Sequence, residues 1–260
     1  EPTPALTRAP TLGAVLICPP IGFEYIRSHT ALRQLAVELA AQGAYVLRFD
    51  YSGTGDSAGD CEQARWQDWI ADVRTASQEL SDRSGVKEIS VLGLRLGATV
   101  ACAALADKPL EHLYLWHPVI SGTDFLRDLD VHHSYLREKI TIDPSGGQAE
   151  PREELRDAEH VEKAGYVFSR QLLHDIAMQE LGDYPLRHKR KITLSVSKSL
   201  GVHNRLISRW NVAGARTVLS EREDLSMWTS KPTFDQSDVP WLPMDVIGNV
   251  VTEIGSAYAT

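Results

Sequence analysis

Ile89-Ser-Val-Leu-Gly93-Leu94-Arg95-Leu96-Gly97-Ala98-Thr-Val-Ala-Cys-Ala-Ala104 is the stretch that decides the fold. Its first residues read as a buried strand. Its last read as a helix. Between them lies a tight turn with a glycine on either side, two residues from the centre. A strand, a turn of spacing Gly-x-Ser-x-Gly and a helix make a nucleophile elbow, which thrusts its central side chain into a pocket above a sheet. The central residue here is Arg95, a permanent cation with donors and no acceptor. It cannot attack a carbonyl. The turn therefore points to a fold and away from the chemistry usual at such a turn.

The elements on either side agree with that fold. Gly13–Cys18 is a short apolar run ended by Pro19-Pro20 and reads as a buried strand. Leu32, Leu35, Ala36 and Leu39 recur at helical spacing over 28–42, and Gly43 is a natural stop. Ala44–Phe49 is a second strand that runs into the turn-rich loop Asp50–Ser57. Trp66, Trp69, Ile70 and Val73 mark one face of a helix over 62–83. The strand over 88–92, the elbow helix to about Ala106, and a strand at His112–Trp116 follow. This rhythm means βαβ units and a parallel sheet covered on both faces. Ligands in such sheets bind beyond the carboxyl ends of the strands. The loops at 19–24, 50–57, 93–97 and 117–123 gather there. The sum is an α/β-hydrolase fold.

Residues 123–187 break the rhythm with charged sequence, His132-His133, a Pro144-Ser-Gly-Gly147 break, and helical stretches near 151–159 and 169–181. They are expected to form a lid inserted into a core made of residues 1–122 and 188–260. The core resumes with a strand at 191–197, a helix near 201–211, a strand at 215–221 and a closing helix over 243–258.

The chain has 260 residues, 43% hydrophobic and 24% charged, which is enough for one large domain. A net charge of -8 argues against nucleic acid as a partner. Three cysteines do not make a disulfide framework. No signal peptide or membrane-length apolar run is visible, so the expected location is cytoplasmic. The first residue is Glu1, and the native start is expected to be missing.

A serine hydrolase of this fold places its acid after a later strand and its histidine after the last one. The residues after the strand ending near Ser197 are Lys198, Ser199 and Leu200. The last histidine of the chain is His203, upstream of the final strand. With Arg95 at the elbow, all three positions lack the expected residue, and serine-type acyl transfer is not expected. Anion-binding geometry is retained in the sequence. The Leu96 backbone N–H opens the elbow helix, and a second donor is available from Ile21, Gly22 or Phe23, as in an oxyanion hole. Arg95 adds charge for a carboxylate, phosphate or enolate. Alternatively, Arg95 plugs the pocket by pairing with Glu24, Asp50 or Asp224. Glu24 is either a general base or the partner of Arg95 or Arg27. His117 ends a strand, where it serves catalysis or merely lines a wall. Asp224, with Glu221 and Glu223, follows the last strand as a candidate acid. His132-His133 is a weak metal hint that nothing completes. Gly53-Thr-Gly55 lacks the ending of a phosphate loop. No metal and no cofactor are expected.

The stretches Cys18-Pro-Pro-x-Gly-x-Glu-Tyr25-x-Arg-Ser28, Gly53–Asp60, Ala64-Arg-Trp66, Gly93–Ala98, Leu115-Trp-x-Pro-Val-x-Ser-Gly122 and Ala164-Gly-Tyr166 resemble the exosortase A system-associated hydrolase 2 family. The resemblance covers roughly residues 13–182. It implies an α/β-hydrolase fold related to serine aminopeptidases, with arginine usual at the elbow. It also implies a bacterial cytoplasmic protein encoded near surface-polysaccharide or natural-product genes. It supplies no mechanism, because fold does not fix chemistry. Two readings stay open. One is a retooled enzyme acting on a small or carrier-bound acyl, ester or carboxylate compound by lyase, cyclisation or transfer chemistry, with Arg95, Glu24 and His117 as its working residues and Ile21, Gly22, Leu96 and Asp224 binding substrate. The other is an inactive fold serving as a binding module.

Overall fold

A computed structural model describes residues 13–140, 159–222 and 244–255. Six parallel strands form the sheet: β1 (Ala14–Cys18), β2 (Tyr45–Arg48), β3 (Ser90–Leu94), β4 (Leu110–Trp116), β7 (Lys189–Val196) and β8 (Thr217–Glu221), in the order β2-β1-β3-β4-β7-β8. A separate antiparallel hairpin joins β5 (His160–Lys163) to β6 (Tyr166–Ser169). The helices are α1 (Gly22–Ala41), α2 (Trp66–Ser84), α3 (Leu96–Leu105), α4 (Gly122–Ile140), α5 (Arg170–Ala177), α6 (Gly201–Val212) and α7 (Met244–Gly255).

Strand alternation sorts the core into two layers. Val15, Ile17, Leu92, Leu94, Tyr114 and Trp116 face α1 and α7, meeting Leu32, Leu35, Ile247 and Val251. Leu16, Cys18, Val91, Leu113, Leu115 and Leu194 face the other way, toward Trp69, Val73, Val100 and Leu206. A sheet covered on both faces needs continuous apolar strands, and β1, β3 and β4 are buried at every residue.

The chain enters the sheet at β1, moves to β2 on one side, then crosses back to β3 on the other. The order reverses between β1 and β3, whose register pairs Cys18 with Gly93. A crevice opens beyond the carboxyl ends at such a reversal. The loops that leave β1 and β3 therefore build the site.

Two expectations change. The first helix begins at Gly22, not near residue 28, with an extended Ile21 before it. Its first turn carries no core-facing apolar repeat because those residues face the crevice. Glu24 therefore stands on a helix, not in a loop. Between β4 and β7 the sequence pattern misses α4 and the β5–β6 hairpin altogether. The stretch expected to be helical near 151–159 lies outside the described residues, apart from Glu159.

One core residue gives the fold a pH dependence. His112 on β4 is fully buried, with Nε2 at 2.8 Å from Thr193 Oγ1 and no partner for Nδ1 among the described residues. Burial, helped by Lys191, pushes its pKa down from 6.5 to about 3. The unfolded chain takes up this proton below pH 6.5 while the folded chain refuses it, so stability falls as pH drops through that window. At pH 5 the loss is about 2 kcal/mol, from 1.36 kcal/mol per unit. Urea unfolding at pH 8 and pH 5 should show it, and His112→Phe should remove most of the difference. An unchanged difference in the variant would place the effect elsewhere.

Candidate functional site

Arg95 sits in the sharp turn between β3 and α3, with φ 54° and ψ -125°. A side chain at positive φ is strained and holds only where neighbours over-determine it. Three backbone bonds do so here. The Arg95 N–H donates to Trp116 O at 3.0 Å, and Arg95 O accepts from Ala98 N at 3.1 Å and Val119 N at 3.3 Å. The flanking glycines let the layers close: a Cβ on Gly93 would meet Ala98 Cα at 2.4 Å, and one on Gly97 would meet Pro19 O at 2.2 Å.

The Arg95 side chain points to the first turn of α1. Its Nε donates to Glu24 Oε1 at 2.8 Å, and Nη1 donates to the His117 carbonyl at 3.3 Å. Both partners of the ion pair are mostly buried, with 16% and 14% of their side chains exposed. Glu24 Oε2 is buried with no hydrogen-bond partner among the described residues. Burial raises the Glu24 pKa above its ordinary value; Arg95 opposes the shift and Asp128 adds to it.

The pair lies in the wall of an open cavity of about 430 Å³. Ile21, Gly22 and Phe23 of the α1 start line it beside Glu24 and Arg95. Phe125, Leu129 and His132 of α4 form another wall, and Tyr166 and Phe168 of β6 a third. The His132 ring packs on Phe23 at 4.0 Å between centroids, joining α4 to α1. Burial, then Arg27, lowers the His132 pKa.

The candidate residues separate on this geometry. Arg95, Glu24, Ile21 and Gly22 come together at the cavity. His117 offers its carbonyl to Arg95; its Nε2 shares a hydrogen bond with Ser197 Oγ at 3.1 Å, and it is not among the cavity's lining residues. The Leu96 side chain is fully buried at the start of α3. Asp50 is no partner of Arg95. It accepts from Tyr25 Oη at 2.7 Å and Asp56 N at 3.0 Å, and so organises the Asp50–Ser57 loop. Asp224 lies outside the described residues. Among the described residues no cluster of His, Cys, Asp or Glu is arranged to hold a metal, and no helix is long and apolar enough to cross a membrane. The contributions of α4 and β6 are absent from the sequence reading of the site. Ala164-Gly-Tyr166, one of the stretches that carries the family resemblance, is the signal that points to them.

The model of the family described as serine aminopeptidase, S33, matches residues 14–163, which run from the start of β1 through β5. The chain belongs to that family. It is 38% identical over 110 residues to two uncharacterized proteins of Mycobacterium tuberculosis, MT2364 and Rv2307c. The match covers 42% of this chain and 37% of those proteins, so the chain spans well under half of their length. Among solved structures it is similar to Est1E from Butyrivibrio proteoclasticus with bound ferulic acid, at 14% identity and TM-score 0.60, covering 98% of this chain and 91% of that one. A structure from the metagenome-derived lipolytic enzymes LipS and LipT aligns at 16% identity and TM-score 0.58 over 95% of both chains. Proline iminopeptidase of Mycobacterium smegmatis aligns at 12% identity and TM-score 0.56, over 96% of this chain and 91% of that one. At these identities the likeness shows the fold alone, which is the α/β-hydrolase fold.

Proposed function

We propose that this chain is a member of the family without a serine nucleophile, whose elbow cavity binds and transforms a small acyl, ester or carboxylate compound. One observation carries the reading: the residue at the elbow lines an open cavity, and it is an arginine paired with a carboxylate. The residues that follow β7 and β8 support it. They are Ser197, Lys198 and Ser199 after β7 and Arg222 after β8, and no histidine follows His203 in the sequence. Arg95 supplies positive charge where negative charge develops on a substrate oxygen. Glu24, in the same wall and with a raised pKa, is the group suited to move a proton. Such a pair serves lyase, cyclisation or transfer chemistry, none of which needs an acyl-enzyme. The resemblance to the exosortase-associated group supports a setting beside surface-polysaccharide or natural-product genes and a substrate that is free or carrier-bound.

The saturated Nε of Arg95 favours a second reading, a binding module without turnover. Ester hydrolysis tests what the two share. Neither the native chain nor Arg95→Ser should release p-nitrophenol from p-nitrophenyl butyrate above the uncatalysed rate, because no histidine follows β8 in the sequence to take the serine's proton. Robust turnover by the native chain sinks both readings.

A further inference from the structure

We propose that the elbow cavity receives an uncharged, largely apolar molecule through its carbonyl oxygen and discriminates against the matching carboxylate. This rests on the reading of the cavity as a ligand site and narrows its ligand.

Arg95 invites an anion, but its charge is matched by Glu24 at 2.8 Å. The second acidic group on the cavity, Asp128, lies close enough to Glu24 to raise its pKa. Of the other basic groups, Lys163 is paired with Asp130, and burial and Arg27 lower the pKa of His132. A carboxylate entering the cavity therefore meets two carboxylates and a guanidinium that is already neutralised. It can claim Arg95 only by displacing Glu24. The Glu24 Oε2 atom is already buried without a donor, so the displaced group would be a buried charge with no partner. Stranding such a charge costs more than a new pair in the same place returns.

A neutral carbonyl faces no such obstacle. A guanidinium has five N–H donors, and Glu24 and the His117 carbonyl take two of those on Arg95. An oxygen can accept from the remaining donors while the ion pair stays intact. Phe23, Phe125, Leu129, Tyr166 and Phe168 offer an apolar body its walls. A cavity of about 430 Å³ lies within the range of small-molecule sites.

Three matched probes test this on the full chain: 3-phenylpropanamide, methyl 3-phenylpropanoate and 3-phenylpropanoate, titrated by calorimetry at pH 8. The amide and the ester should each bind at least about 10-fold more tightly than the carboxylate, a difference of about 1.4 kcal/mol. Glu24→Gln leaves Arg95 with an unmatched charge. It should raise carboxylate affinity by about 10-fold while changing amide affinity much less, a gain that mere structural damage does not produce. A carboxylate that binds the native chain as tightly as the amide overturns the inference and leaves the ligand site standing. So does a Glu24→Gln chain with no gain for the carboxylate. If none of the three binds either chain, the ligand site falls as well.

Discussion

Gly97→Ala should cost the fold about 4 kcal/mol or more. An ideal Cβ at Gly97 lies 2.2 Å from Pro19 O, 2.5 Å from Cys18 O and 2.8 Å from Pro19 C. All three are backbone atoms at the end of β1, which is held by parallel pairing to β2 on one side and β3 on the other. A flexible side chain would swing away. A strand end inside a six-stranded sheet cannot move without breaking register, so the overlap is relieved only by moving α3 or opening the site. Gly248→Ala supplies the control. It changes a glycine in a helix to alanine with no described residue within 4 Å of the new Cβ outside the helix's own backbone, so it should be neutral or slightly stabilising. Urea unfolding of the two variants beside the native chain decides the matter. A Gly97→Ala chain within 1 kcal/mol of native would mean that the contact between α3 and β1 is looser than these distances state.

That contact also explains why the elbow is legible in the sequence and the rest of the site is not. Gly93 and Gly97 are fixed by backbone approach, and Arg95 by a turn that only a few spacings can make, so the motif survives as a local signal. The βαβ rhythm implies a parallel sheet whose loops gather at the carboxyl ends of the strands, and it brings Pro19–Glu24 to the same end as the elbow without any knowledge of side chains. Glu24 is visible as a candidate for the same reason, although its helix is not. The walls made by α4 and β6 have no such local mark. Among the described side chains of α4 only Gly122, Phe125 and His133 are buried, and charged residues fill most of the exposed positions between them. Leu129 and His132 are only partly covered, and both line the cavity. His117 shows the same limit of a local reading. It does end a strand next to the elbow, but with φ 42° it offers its carbonyl to Arg95 and turns its ring to Ser197. Sequence gives the position and not the direction.

Arg95→Ala should destabilise the protein by about 3 kcal/mol at pH 8, more than an exposed ion pair would cost, since such pairs contribute about 1 kcal/mol or less. The arginine leaves Glu24 behind, mostly buried, with Oε2 already lacking a donor and Oε1 losing its only one. The pH dependence separates this cause from a simple loss of packing. Burial raises the Glu24 pKa even with Arg95 present, and removing the arginine removes the group that opposes the shift. A group whose folded pKa lies above its unfolded value gives stability that is complete below the unfolded pKa, here 4.5, and that drains away as pH rises through the folded pKa. The deficit of Arg95→Ala relative to the native chain should therefore be greatest at pH 8 and shrink toward pH 5. A second substitution tests the same point from the other side. Changing Glu24 to Leu in the Arg95→Ala chain removes the stranded carboxylate, so the double variant should be more stable than the single one and should lose its pH dependence. Additive losses and a deficit that stays constant with pH would show that Arg95 contributes through packing alone. In that case Glu24 would not carry the raised proton affinity on which its role in the cavity depends.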